Sequence, residues 1–170
     1  MNIANAKLQR LQFLARIVAR EIRHLSVTDR RLFAAPFTRE MAANLEQEVE
    51  LAERLDAFVS RFGRLQDTVG DKLIPQYLDA VGEATGPKID NLNRMEKLDL
   101  IDSAELWMTL RDLRNQMIHE YIEDADILAN ALNKAHEHAG TLIRDAQCIL
   151  ADLEARGWIS ARDLSVVRGQ

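Results

Sequence analysis

The residues best equipped for chemistry lie together at Arg114-Asn115-Gln116-Met117-Ile118-His119-Glu120-Tyr121. An arginine, an amide, an imidazole and a phenol can each handle a phosphate. Arginine does so through bidentate, permanently charged hydrogen bonds, and histidine through a proton exchanged near neutral pH. On a helix turning about 100° per residue, Arg114 and Tyr121 fall almost above one another, whereas Asn115 and His119 share a second face with Asp112. Arg114 is expected at the edge of a stripe made by Trp107, Leu110 and Ile118, where a partly desolvated guanidinium needs an acidic or phosphate partner. The plainer alternative pairs Arg114 with a neighbouring carboxylate, leaves Asn115 solvated, and has His119 complement the helix C-terminal dipole.

The pattern R-N-x-x-x-H-x-Y resembles the signature of HEPN-superfamily ribonucleases, in particular the HepT toxin branch with its R-x-x-x-x-H-x-Y motif. The similarity covers about Asn2 to Leu153 and includes Phe62 to Pro75 (FGRLQDTVGDKLIP) and the short helix before the motif; the tail after Gly157 lies outside it. The resemblance implies a metal-independent endoribonuclease toxin with Arg114, Asn115 and His119 as catalytic residues and no cofactor or metal. It also implies a composite site in a homodimer cleft, with Asn115 orienting the catalytic pair. Control would come from an MNT-type nucleotidyltransferase antitoxin that transfers AMP to Tyr121. The alternative is a non-catalytic HEPN nucleotide- or partner-binding subunit of a minimal nucleotidyltransferase, and a third class is a purely structural helical dimer.

Cleaving RNA without a metal requires a deprotonated 2′-hydroxyl, a protonated leaving 5′-oxygen and stabilised charge on the phosphorane. Histidine suits the first two tasks and arginine the third. One chain supplies one motif histidine. A two-fold dimer that joins both signature helices would supply two histidines and two arginines, concentrating positive charge in an acidic protein.

With 170 residues the chain suits one domain, and seven glycines and three prolines leave helix favoured nearly everywhere. Lysine and arginine number 22 against 27 acids, and a net charge of −5 argues against a general phosphate-backbone binder. RNA contact should therefore be local or supplied by dimerisation. Arg10, Arg16, Arg20, Arg23 and Glu21 interrupt every apolar run of the first helix, so no signal peptide or membrane span is expected. A lone Cys148, expected on an apolar stripe, fits a reducing cytoplasm.

Ile3, Leu8, Leu11, Leu14, Ile17, Val18, Ile22 and Leu25 predict a first helix over 3 to 25, followed by a loop of about twelve residues over Ser26 to Phe37. Thr38 is the expected N-cap of one long second helix reaching about Val69, with Val49 inward and Gly63 and Gly70 as weak points. Pro75 forces a kink or a fresh start capped at Asp71, and the face continues to Gly82. A short helix spans Ile89 to Leu98, and Asp102 or Ser103 caps the helix that bears the motif. The last helix runs from about Asp124 to Arg156, with Ile127, Ala131, Leu132, Ala135, Leu142, Ile149, Leu150 and Leu153 inward, and Gly157 stops it. The predicted fold is all-α, an up-and-down bundle of four main helices with a kinked second hairpin, over residues 1–157, followed by a short tail, 158–170. The HEPN resemblance implies the same fold.

His136-Glu137-His138 has the residue types of a metal cluster but the wrong spacing, because helix positions two apart point about 200° away from each other. These are expected as surface residues. No glycine-rich phosphate loop or G-x-S-x-G elbow occurs.

Overall fold

The computed structural model describes residues 3–119 and 123–165, and its described residues contain helices and no strand. The helices are α1 (Asn5–Leu32), α2 (Arg39–Ala43), α3 (Val49–Asp67), a π-helical segment (Thr68–Leu73), α4 (Ile74–Val81), α5 (Lys88–Lys97), α6 (Ala104–His119) and α7 (Ala125–Ala155). None is long and apolar enough to cross a membrane.

Side-chain bonds between the long helices fix their directions. Lys7 of α1 pairs with Asp79 at 2.8 Å, Glu21 accepts from Thr68 at 2.9 Å, and Thr28 accepts from Arg61. Partner numbers fall as α1 numbers rise, so α1 and the α3–α4 rod are antiparallel. By the same logic Gly70 faces Trp107 while Gly63 faces Arg114, making α6 antiparallel to α3. Asp29 meets His136 at 2.8 Å and Gln12 meets the Trp158 carbonyl at 3.1 Å, making α7 antiparallel to α1. The result is an up-down-up-down bundle, as expected from helices joined by short connections.

One core runs between these rods. Along α7 the buried positions Leu128, Leu132, Ala135, Ala139, Leu142, Ala146, Ile149 and Leu153 alternate steps of four and three, a seam of heptad character. This register corrects the expectation for two side chains. Ile127 is exposed because Leu128 takes the inward place, and Cys148 is exposed because Ile149 does.

Two boundaries also depart from expectation. The first helix does not stop at residue 25 but continues to Leu32, and the loop shrinks to residues 33–38. Leu25, Thr28 and Leu32 prolong the buried stripe, and the polar residues between them occupy the solvent face. The second helix is not single. Thr38 does cap it, accepting from the Met41 amide at 3.1 Å, but α2 ends at Ala43, and α3 begins after a turn in which the Gln47 and Glu48 amides return to the Asn44 carbonyl. Phe37 is bound through its N–H and C=O to Asn133 of α7, while Leu55, Phe58 and Phe62 are buried further along α3. The two pieces dock on different neighbours, α2 on α7 and α3 on α1 and α6. Val49, predicted inward, is 63% exposed at the new helix start.

Asp71 caps nothing; it pairs with Lys88 at 2.5 Å. The chain stays helical through the π-helical segment, where the Ile74 amide donates to the Val69 carbonyl five residues back. Pro75 then stands in the first turn of α4, directly after the π-helical segment, whose wider turn accommodates a residue that cannot donate to the helical ladder. Gly82 ends α4 at φ 83°, a left-handed conformation natural to glycine.

The start of α6 is tied down firmly. Ser103 Oγ accepts from the Leu106 amide at 3.1 Å, and Glu96 accepts from the Ala104 amide at 2.8 Å. Buried Asp145 of α7 accepts from Trp107 Nε1 at 2.8 Å and from the Asp102 amide at 3.2 Å, placing a carboxylate at the helix N-terminus. Burial pushes the Asp145 carboxyl up, and the Trp107 hydrogen bond pulls it back. Beyond Gly157 the chain returns to α1: Trp158 and Ile159 are buried, and Asp163 pairs with Arg16 at 2.8 Å.

Candidate functional site

Helix α6 distributes the motif over two surfaces. Arg114 is half-buried and turns toward α3, whereas Asn115 and His119 are exposed on the face that also carries exposed Asp112. Trp107 and Leu110 are buried as expected, but Ile118 is not part of the core stripe; at 48% exposed it forms the rim of a cleft. Tyr121 lies outside the described residues.

That cleft, about 660 Å³, opens between α3 and α6 and is lined from α3 by Asp56, Val59, Ser60, Gly63, Arg64 and Asp67, and from α6 by Arg114, Met117 and Ile118. Neither Asn115 nor His119 lines it. A single chain therefore gathers two guanidinium groups in one cleft and keeps its motif imidazole outside.

Arg114 has found the acidic partner that partial desolvation demands. Its Nη2 lies 3.0 Å from Asp67 Oδ2, and its Nη1 donates to Oδ1 at 3.3 Å, a two-pronged pair across the groove. The side chains of Arg114 and Asp67 remain 30% and 40% exposed, so solvent screens the pair and an incoming anion can reach it. The stem of Arg114 rests on Gly63, and its buried Nε has no hydrogen-bond partner among the described residues. Arg64 donates to Ser60 Oγ at 3.1 Å and is exposed at the cleft.

Behind the cleft wall stands Glu21 of α1, buried, with Oε1 accepting from Thr68 and Oε2 unpartnered among the described residues. Burial pushes its carboxyl up to about 7; the Thr68 hydroxyl and the positive charges of Arg64 and Lys72 pull it back, and Asp67 pushes it up further. A neutral Glu21 leaves the arginines of this wall with one negative neighbour fewer.

The α3 residues of the cleft were not among the candidate site residues, although Gly63, Arg64 and Asp67 fall in the segment Phe62 to Pro75 that shares the family resemblance. Their signal is a stripe of short polar residues and glycine along one face of the amphipathic α3: Asp56, Ser60, Gly63 and Asp67 stand at steps of four, three and four. His136 keeps a partly exposed place, its side chain 41% exposed, yet it is also engaged by other elements. It is half-buried, bonds Asp29 at 2.8 Å and stacks on Phe33 with ring centroids 4.2 Å apart, joining α7 to the end of α1.

The fold and this site define an all-α bundle with an arginine-bearing cleft between its second and third rods. Comparison of the chain with family models, curated proteins and solved structures gives no match in any of the three.

Proposed function

We propose that this protein is a metal-independent endoribonuclease toxin of the HEPN type, active as a homodimer and neutralised by an MNT-type nucleotidyltransferase antitoxin. The observation that carries the reading is the R-N-x-x-x-H-x-Y motif, whose Arg114, Asn115 and His119 lie on α6, with Arg114 in an anion-accessible cleft beside Arg64 and with Asn115 and His119 exposed. Arg114 would hold the phosphate and its developing charge, His119 would move the proton, and Asn115 would orient them. Because Arg114 and His119 occupy different surfaces of one chain, the reading requires a second copy to complete the site. An adenylate on Tyr121 would present a phosphate to the guanidinium otherwise used for RNA.

The ion pair with Asp67 favours a second reading, in which Arg114 is a structural residue and the bundle is a non-catalytic binding subunit of a nucleotidyltransferase. One experiment separates the two. Purified protein incubated with RNA in EDTA should cleave it, and Arg114→Ala or His119→Ala should fold normally and lose about 10²- to 10⁴-fold in rate. Absence of cleavage by the dimeric wild type, or cleavage by both variants at the wild-type rate, would support the second reading.

A further inference from the structure

The net charge of −5 conceals a local excess of the opposite sign. Arg20 and Arg23 stand on α1 four residues and one residue before His24, Arg61 and Arg64 stand on α3, which packs against α1, and among the described residues none of the four has a carboxylate within ion-pair distance. Arg61 crosses from α3 to α1, donating to the His24 carbonyl at 3.3 Å and to the Thr28 hydroxyl. His24 registers the crowding: burial and the charges of Arg61, Arg23, Arg64 and Arg20 hold its imidazole below the ordinary histidine value. Acids stand nearby, Asp56 and Asp67 at the Arg64 cleft and Glu50 and Glu53 at the pocket that Arg61 lines, but none forms an ion pair with the four, and an anion laid across these guanidinium groups would relieve their mutual repulsion.

Arg64 belongs both to this cluster and to the cleft that holds Arg114. We propose that Arg20, Arg23, Arg61 and Arg64 form a track that binds successive phosphates of a single RNA strand and leads it into the Arg114 cleft. Guanidinium groups match phosphate oxygens in bidentate geometry, and continuity with an arginine-bearing cleft favours a phosphodiester chain over an acidic protein. The track rests on the reading of the cleft as an RNA site, and it supplies within one chain the basic surface that composition alone argues against.

The test is binding without turnover, read by fluorescence anisotropy in the His119→Ala background with a labelled oligouridine of about twelve nucleotides. Arg20→Glu with Arg23→Glu should weaken binding about tenfold or more and flatten the salt dependence by roughly 0.7 for each phosphate no longer held. The control pair Arg144→Glu with Arg162→Glu carries the same change of net charge on exposed positions elsewhere and should leave both nearly unchanged. Equal loss in the two pairs, or unchanged binding in the first, would overturn the track. So would a polyglutamate peptide that binds this face more tightly than the oligouridine. RNA that binds through the track but is never cut by the wild type would remove the nuclease reading and leave the track standing. Binding abolished by Arg114→Ala yet indifferent to the track variants would do the reverse.

Discussion

A Cβ atom added to Gly63 would lie 2.8 Å from Nε of Arg114, closer than such atoms can approach. The guanidinium of α6 thus reaches Asp67 across a place on α3 where no side chain stands. Glycine inside a helix costs about 0.5–1 kcal/mol relative to alanine, so the small residue is retained against local preference.

Gly63→Ala should consequently separate fold from site. The gain in helix propensity offsets part of the steric cost, and we expect thermal stability within about 1 kcal/mol of wild type. Arg114 must move, so its Nε–H resonance should shift in the NMR spectrum and cleavage of RNA should fall about tenfold or more. An unshifted Arg114 resonance would show that the cleft yields elsewhere.

Asp67→Asn tests whether the carboxylate competes with an incoming phosphate. The pair is partly exposed on both sides, so its loss should cost no more than about 1 kcal/mol of stability. The freed guanidinium should bind inorganic phosphate several-fold more tightly, measured by titration of the Arg114 side-chain resonances. Equal phosphate affinity in the two proteins would mean that Asp67 does not guard the site.

Glu21 predicts a pH dependence. Its folded value of about 7 stands above the ordinary 4.5, so the folded chain binds the proton more tightly and stability falls as pH rises from about 4.5 through about 7. Glu21→Gln should leave the melting temperature nearly unchanged at pH 4.5 and raise it at pH 8, by roughly 2–4 °C per kcal/mol relieved. The same increment at both pH values would refute the assignment.

Tyr121 provides the test of control by a partner. Co-expression with a neighbouring gene encoding a minimal nucleotidyltransferase should add AMP to the wild-type chain, detected by intact-mass spectrometry, and Tyr121→Phe should abolish the addition. AMP that persists in the variant, or never appears in the wild type, would count against the modification site.

Features encoded by neighbours in the chain were legible without a structure. Helical periodicity identified the all-α class, Thr38, Ser103 and Asp124 announced helix starts, and Gly82 and Gly157 marked ends, because caps and left-handed turns depend on a few adjacent residues. The motif was legible for the same reason, and its spacing already separated Arg114 from Asn115 and His119. What required tertiary structure was every choice that depends on a distant partner. The prolonged α1 is decided by burial of Thr28 and Leu32, the break before α3 by the packing of α2 on α7 and of α3 on α1, and the unbroken passage through Pro75 by the π-helical segment. Arg114 announced a need for an anion, but only the antiparallel packing of α6 on α3 brings Asp67, 47 residues earlier, within 3.0 Å. Period and propensity act over a turn or two of helix, whereas ion pairing across a groove depends on how whole helices dock.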